Sequence, residues 1–193
     1  MVALALLAAL AAPPFWEARP PEAWSREEIG QLLSDSPWAQ AVAGPFKDPG
    51  VIVYLATARP AREAERELMR RGLRPAPAEG SPSGEYEAFL RENGGRVIVL
   101  AVRLARLPAL EQEPERRRLE QDCVLKVGKR KYHLIGHFPP TPEDPCLRLV
   151  FPREVGTADK ALRFELYLPG LPNPDRWAEF RLREMNYRGE AAY

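Results

Sequence analysis

A chain of 193 residues with 45% hydrophobic content is long enough to bury one sizeable core. Its 28 lysines and arginines nearly cancel 27 acidic residues, leaving a formal charge of +1, which argues against a dedicated nucleic-acid binder and against a protein held on a membrane by charge. The 21 prolines fall between periodic segments rather than inside them, so they stiffen connections and do not mark a disordered chain.

Residues 1–12, MVALALLAALAA, form an unbroken apolar run, too short to span a bilayer as a helix, which takes about 20 residues. The run fits the hydrophobic region of a secretory signal, with Ala9-Leu10-Ala11 as an A-x-A cleavage site. The one positive charge ahead of it is the α-amino group of Met1, and the competing reading is a buried N-terminal helix. No cysteine follows the run to carry a lipid. The expected organisation is a signal peptide over 1–12, a Pro-rich lead-in over 13–23 and a single domain over 24–193. That domain is exported to the periplasm or the medium, without a transmembrane anchor.

Ser25-x-x-Glu28 is a capping box, and Trp24 with Ile29 forms the hydrophobic staple around it. Ile29, Leu32 and Leu33 make one apolar face, and Pro37 ends the helix near residues 34–36. VIVYLA, 51–56, reads as a buried strand. A helix follows from about Pro60 to Arg71, with Ala61, Ala64 and Leu68 as its stripe, Glu67 placed to pair with Arg70 or Arg71, and Gly72 as its stop. After a Pro-rich loop comes a short helix carrying Tyr86, Phe89 and Leu90. RVIVLAVRL, 96–104, is a second strand, and the charged stretch 110–122 has room for a helix limited by Pro114.

From Cys123 the pattern turns to β. CVLKVGKRKYHLIGHF reads as a hairpin turning near Gly128-Lys129, and CLRLVF, ALRFELYL and AEFRLREMNY alternate apolar and polar residues as half-buried strands do. Helices mixed with strands, then a run of strands, give the fold class α+β with a largely antiparallel β-sheet. PPTPEDP, 139–145, resembles a linker, but the strands on either side depend on one another. The two cysteines, Cys123 and Cys146, pair by default in an exported chain, which would stabilise it by about 3 kcal/mol. In a simple meander their strands lie about 9.5 Å apart, beyond the reach of a bridge. A disulfide therefore needs another strand order, and the alternative is two buried thiols.

Chemical signatures are few. His133 and His137 on one strand lie about 13 Å apart, too far to share an ion, so no metal site is expected. No G-x-S-x-G elbow, P-loop or G-x-G-x-x-G fingerprint implies a nucleophile or cofactor, and no catalytic residue is assigned. Glu63, Glu65 and Glu67 read as surface charges on their helix. KVGKRK, 126–131, is the one concentrated basic patch, where Lys129, Arg130 and Lys131 form either a phosphate- or polymer-binding β-ribbon tip or a solvated edge. Trp177 reads as packing a loop onto the sheet.

Three short motifs occur in order: Asp35-Ser36-Pro37-Trp38-Ala39 after the first long helix, Phe151-Pro152-Arg153, and Met185-Asn186-Tyr187-Arg188-Gly189. Together with the strand and helix at 51–71, they resemble a group of uncharacterised secreted bacterial proteins with a helix-DSPWA motif, an FPR step and an M-x-Y-x-G ending. Some of these are loosely associated with GWxTD-domain proteins, but that motif does not occur in this chain. The resemblance implies no activity and no catalytic residues. Trp38 has two readings, a core anchor redirected by Pro37 or the centre of a recognition surface. The functional expectation is a non-enzymatic binding or assembly module of the bacterial cell envelope, acting on an envelope protein or polymer. The alternative is an extracytoplasmic hydrolase or transferase built from dispersed carboxylates.

Overall fold

A computed structural model describes residues 13–44, 48, 50–104, 110 and 112–193. The expected signal segment, 1–12, lies outside them. The stretch read as a lead-in carries structure of its own. A helical turn, α1 (Phe15–Ala18), sets Trp16 edge-on to Trp38 at 5.7 Å and Phe15 edge-on to Trp24 at 5.8 Å.

Helix α2 (Arg26–Leu32) starts as its capping box dictates. The Ser25 hydroxyl accepts the Glu28 N–H at 3.2 Å, and the Glu28 carboxylate accepts the Ser25 N–H at 2.7 Å. Its end answers for the Ser-Pro-Trp that follows. Ser36 Oγ donates to the Leu32 carbonyl and accepts the Trp38 N–H, so one hydroxyl closes the helix and opens the turn. Ser36 and Ala39 bond to each other across Pro37 and Trp38. The chain leaves this turn directly into strand β1 (Ala39–Val42), which the sequence pattern did not suggest.

Next come β2 (Val51–Leu55), α3 (Arg59–Arg70), α4 (Pro82–Asn93), β3 (Val97–Arg103) and α5 (Glu113–Asp122). The β-rich half holds β4 (Val124–Val127), β5 (Arg130–His133), β6 (Gly136–Phe138), β7 (Cys146–Pro152), β8 (Ala161–Tyr167) and β9 (Asp175–Arg181). A final hairpin joins β10 (Asn186–Tyr187) to β11 (Glu190–Ala191). Arg188 and Gly189 at its tip both have positive φ, 52° and 78°, as a type I′ turn requires.

The fold is α+β, with every strand pair among the described residues antiparallel, but these residues form two main sheets. One runs β1-β2-β3-β7-β6 and the other β5-β4-β8-β9. The chain crosses between them just after β5, where Leu134 still bonds the Cys123 carbonyl and Ile135 already bonds that of Val150. The expected long hairpin therefore ends at His133, and His137 belongs to the other sheet.

Registration sorts the first sheet into two faces. Leu55, Leu100, Leu149 and His137 lie in one cross-strand row, Tyr54, Ala101, Arg148 and Phe138 in the adjacent row pointing the other way. The face of the leucine row meets the second sheet, where Phe151, Phe164 and Phe180 stack at 5.4 and 5.9 Å. The opposite face meets α3 and α4, with Phe138 against Tyr86 at 5.2 Å and Phe89 at 5.4 Å. Helices, sheet and sheet thus form three layers, and β3 and β7 in the middle layer are buried except at their last residues. Among the described residues no helix is long and apolar enough to cross a membrane.

Candidate functional site

Between the helical layer and the first sheet lies a cluster of buried charges. Arg148 projects from the helix-facing side of β7 and is 3% exposed. Glu65, on the inner side of α3, and Asp144, just before β7, are 5% and 6% exposed. Asp144 is held by a tight turn in which Thr141 and Asp144 exchange backbone hydrogen bonds and Thr141 Oγ1 also accepts the Asp144 N–H. The Pro-rich segment 139–145, linker-like in composition, is therefore the device that delivers a carboxylate.

Arg74 reaches the same place because α3 ends in a Schellman motif. Gly72, at φ 67°, lets Leu73 N–H bond the Leu68 carbonyl at 2.9 Å and Gly72 N–H bond that of Met69 at 3.0 Å. That reversal turns the chain back under α3. Arg74 Nη1 then donates to Glu65 Oε1 at 2.9 Å, and its Nη2 pairs with Asp144.

Arg148 Nη2 pairs with Asp144 at 2.7 Å and lies 3.6 Å from Glu65, while its guanidinium stacks 4.3 Å from the Tyr86 ring centre. Tyr54 donates its hydroxyl to Glu65 at 2.8 Å, and Cys146 Sγ is 3.7 Å from that hydroxyl. Burial works against both guanidiniums, but Glu65 and its neighbours outweigh it and hold Arg74 and Arg148 above their ordinary pKa. Burial likewise opposes the charge on Asp144, yet Arg148 and Arg74 keep it below the usual carboxylate range. Desolvation, with Glu65 adding to it, pushes the Tyr54 and Tyr86 phenols up, and burial does the same to the Cys146 thiol.

This cluster floors a pocket of about 270 Å³ between α3, α4 and the turn before β7. Pro75, Pro77 and Pro82 give it stiff apolar walls, Met69 adds a flexible one, and Glu87 and Glu143 stand on its lining as well. Two buried polar atoms of lining residues, Arg148 Nε and Tyr86 Oη, have no hydrogen-bond partner among the described residues.

The residues singled out from the sequence fall elsewhere. Trp38 is fully buried; its indole N–H donates to the Ala192 carbonyl at 2.6 Å and its ring meets Tyr187 edge-on at 6.3 Å. A ring with no exposed face offers no recognition surface, so Trp38 is a core anchor. The same corner gathers all three motifs, since Arg153 lies 5.4 Å over the Tyr193 ring next to Ala192.

Lys129, Arg130 and Lys131 are exposed at the tip of the β4–β5 hairpin, and Arg130 is already paired with Asp159. Among the described residues no hydrogen bond or ion pair joins the tip to the buried cluster. Cys123 and Cys146 are both free and buried, Cys123 capping the end of α5 and Cys146 opening β7, so the bridge considered between them is not formed. Cys123 Sγ instead accepts the Tyr167 N–H, and burial raises its pKa to about 12. Glu65 and Glu67 are buried rather than surface charges, Glu67 clamped by Arg70 at 2.7 Å and Arg71 at 2.9 Å. Trp177 packs no loop: it is 63% exposed on the outer face of β9, where Arg176, Ala178 and Phe180 take the inward positions.

The cluster was missed because its members come from four separate segments. One signal was present in the sequence: Glu65 stands four residues after Ala61 and three before Leu68, inside the apolar stripe of α3. Compared with family models, with curated proteins and with solved structures, the chain matches none of them.

Proposed function

We propose that this chain is an exported, non-enzymatic binding module of the bacterial cell envelope, with the pocket over Arg74 and Arg148 as its ligand site. Export is supported by the apolar run at 1–12 and its A-x-A step. Binding is supported by one observation above the rest: a pocket of about 270 Å³ with largely apolar walls stands over a floor whose guanidiniums and carboxylates are held in place by mutual pairing. A buried ion cluster is weak support for stability, because desolvation offsets most of the attraction. Placed under an apolar-walled pocket, it supports a ligand-orienting role.

Non-enzymatic character is supported by the direction of every resolved titration in the pocket lining. Proton transfer works best with a pKa near the working pH. Here the guanidiniums are shifted up, Asp144 down and the Tyr86 phenol up, all away from neutrality. Asp144 is also occupied by two guanidiniums, which leaves it unsuited to the hydrolase alternative.

The test has two arms. The intact mass of the protein from its native host, fraction by fraction, gives cleavage near Ala11 or Ala12 in the envelope or medium if it is exported, and a full-length cytoplasmic chain if it is not. The small-molecule fraction of an envelope extract raises the melting temperature of the wild type but not of Ala76→Trp, which sets an indole on the pocket's lining. Equal shifts in both proteins, or none, would refute the pocket as the ligand site.

A further inference from the structure

We propose that the outer face of the sheet β5-β4-β8-β9 is a second binding surface. Its occupant is an oligosaccharide whose acidic groups are spaced by neutral sugars, one neutral ring stacking on Trp177 and an acidic group reaching Lys131. This face lies across all three layers from the pocket over Arg74 and Arg148, so the proposal goes beyond the reading above.

Register sets Glu165 directly beside Trp177, and Arg163 beside Glu179, all on the side turned away from the core. The same two rows end on β5 at His133 and Lys131. Helix α5 closes one end of this face. There Tyr167, two residues beyond Glu165, lies 4.0 Å beneath the Arg118 guanidinium and donates to Glu115 at 2.7 Å. Past that end the indole stands open. Trp24 and Trp38 are buried and Trp16 is half-buried, so Trp177 is the one tryptophan the fold leaves in solvent.

Its polar surroundings are held in place. Glu165 pairs with Lys126, and Glu179 pairs with Arg163 at 2.7 Å. A flat apolar ring thus sits among fixed carboxylates and a guanidinium. A sugar has the complementary shape: a C–H face that stacks on an indole, and edge hydroxyls that donate to carboxylates and accept from guanidinium N–H groups.

Charge selects the kind of sugar. Around Trp177, Asp175, Glu165 and Glu179 outnumber Lys126 and Arg163, so that end does not attract an anion. At the hairpin tip Arg130 is paired with Asp159, but Lys129 and Lys131 make no ion pair among the described residues. The two ends lie three strand spacings apart, about 14 Å, the reach of a short oligosaccharide. Nucleic acid, with a phosphate on every unit, or a uniformly anionic membrane would press negative charge onto the Trp177 end. An uncharged glycan leaves the lysines unanswered. Acidic groups spaced by neutral rings match both ends.

The experiment is an amide- and indole-resolved NMR titration of the full chain. The probes are chitohexaose, which is uncharged; hyaluronan and unsulfated chondroitin hexasaccharides, acidic on alternate sugars; and hexagalacturonate, acidic on every sugar. Oligothymidylate and phosphatidylglycerol vesicles are added as the rival occupants. The expected result is saturable shifts at the Trp177 indole and at Lys129–Lys131 with at least one alternately acidic probe, about tenfold tighter than with the rest. Trp177→Ala weakens that binding about tenfold, as does Lys129→Gln combined with Lys131→Gln. Both variants keep the wild-type urea midpoint, because the positions are exposed. Ala76→Trp leaves the titration unchanged, which keeps this surface distinct from the pocket. Absence of binding by both alternately acidic probes overturns the proposal. So does equal or tighter binding of any other probe, binding that Trp177→Ala leaves intact, or binding that Ala76→Trp abolishes.

Discussion

Replacing Arg148 with methionine removes a guanidinium from the middle layer while keeping a flexible apolar stem. Four interactions go with it: the 2.7 Å pair with Asp144, the 3.6 Å approach to Glu65, the 3.5 Å hydrogen bond to the Cys146 carbonyl and the stacking 4.3 Å above Tyr86. A charge-assisted hydrogen bond contributes about 1.5–3 kcal/mol. Cation–π stacking adds about 0.5–2 kcal/mol. Breaking a buried pair costs about 3–5 kcal/mol, and here the lower end applies because Arg74 still holds both carboxylates. The expected loss at pH 7 is about 3 kcal/mol by urea denaturation, or about 6–12 °C in melting temperature for a chain of this length.

The pH dependence separates charge from packing. Asp144 has a folded pKa below its ordinary value, so its contribution is present above the unfolded value, about 3.9, and disappears as pH falls through the lower folded one. Without Arg148 that folded pKa moves up and the contribution shrinks. Wild type and variant therefore differ most at pH 7 and converge below about pH 4. A loss under about 1 kcal/mol, or a difference that persists unchanged into acid, would refute an electrostatic role and leave only side-chain volume.

Neither thiol in the native protein should react with an alkylating reagent at pH 8, because both are buried with raised pKa, and both should titrate in guanidinium without reductant. Recovery of no thiol there would mean a disulfide and a different sheet order. Gly189→Ala should cost about 1–2 kcal/mol in urea denaturation: nothing lies within 4 Å of the added methyl, so the cost is the backbone's at φ 78°. His137 has its pKa lowered chiefly by burial, so stability should fall as pH drops from about 6.5 towards that lower value, where only the unfolded state binds the proton. His137→Gln should flatten that slope; an unchanged slope would assign it to other groups.

The parts of the fold legible in the sequence are those set by local chemistry. The capping box fixes the start of α2, Gly72 fixes the end of α3, and Gly128 at φ 60° fixes the β4–β5 turn. Contacts between distant segments carry no such mark. Strand β1 is short and follows a turn without a break, so its four residues have no room to show a period. Strand β9 and the residues after it read as one run, yet the strand ends at Arg181 and a 3-10 turn (Leu182–Glu184) redirects the chain to β10. Periodicity over ten residues cannot report a bend inside them.

The site was illegible for a different reason. CLRLVF alternates as a half-buried strand should, and the ordinary reading places Arg148 in water. Alternation establishes only that the two faces of a strand carry different chemistry. What covers each face depends on elements far away in the chain. Here α3 and α4 roof the face that bears Arg148, and the turn before β7 and the reversal after α3 bring Asp144 and Arg74 to meet it. The same logic applies to α3, where Glu65 falls within the apolar stripe and is correctly placed for burial only once two guanidiniums and a tyrosine are known to wait there. A charged residue on the buried face of a helix, and another on a strand that proves central, together mark a polar interior; the pocket above them gives that interior something to hold.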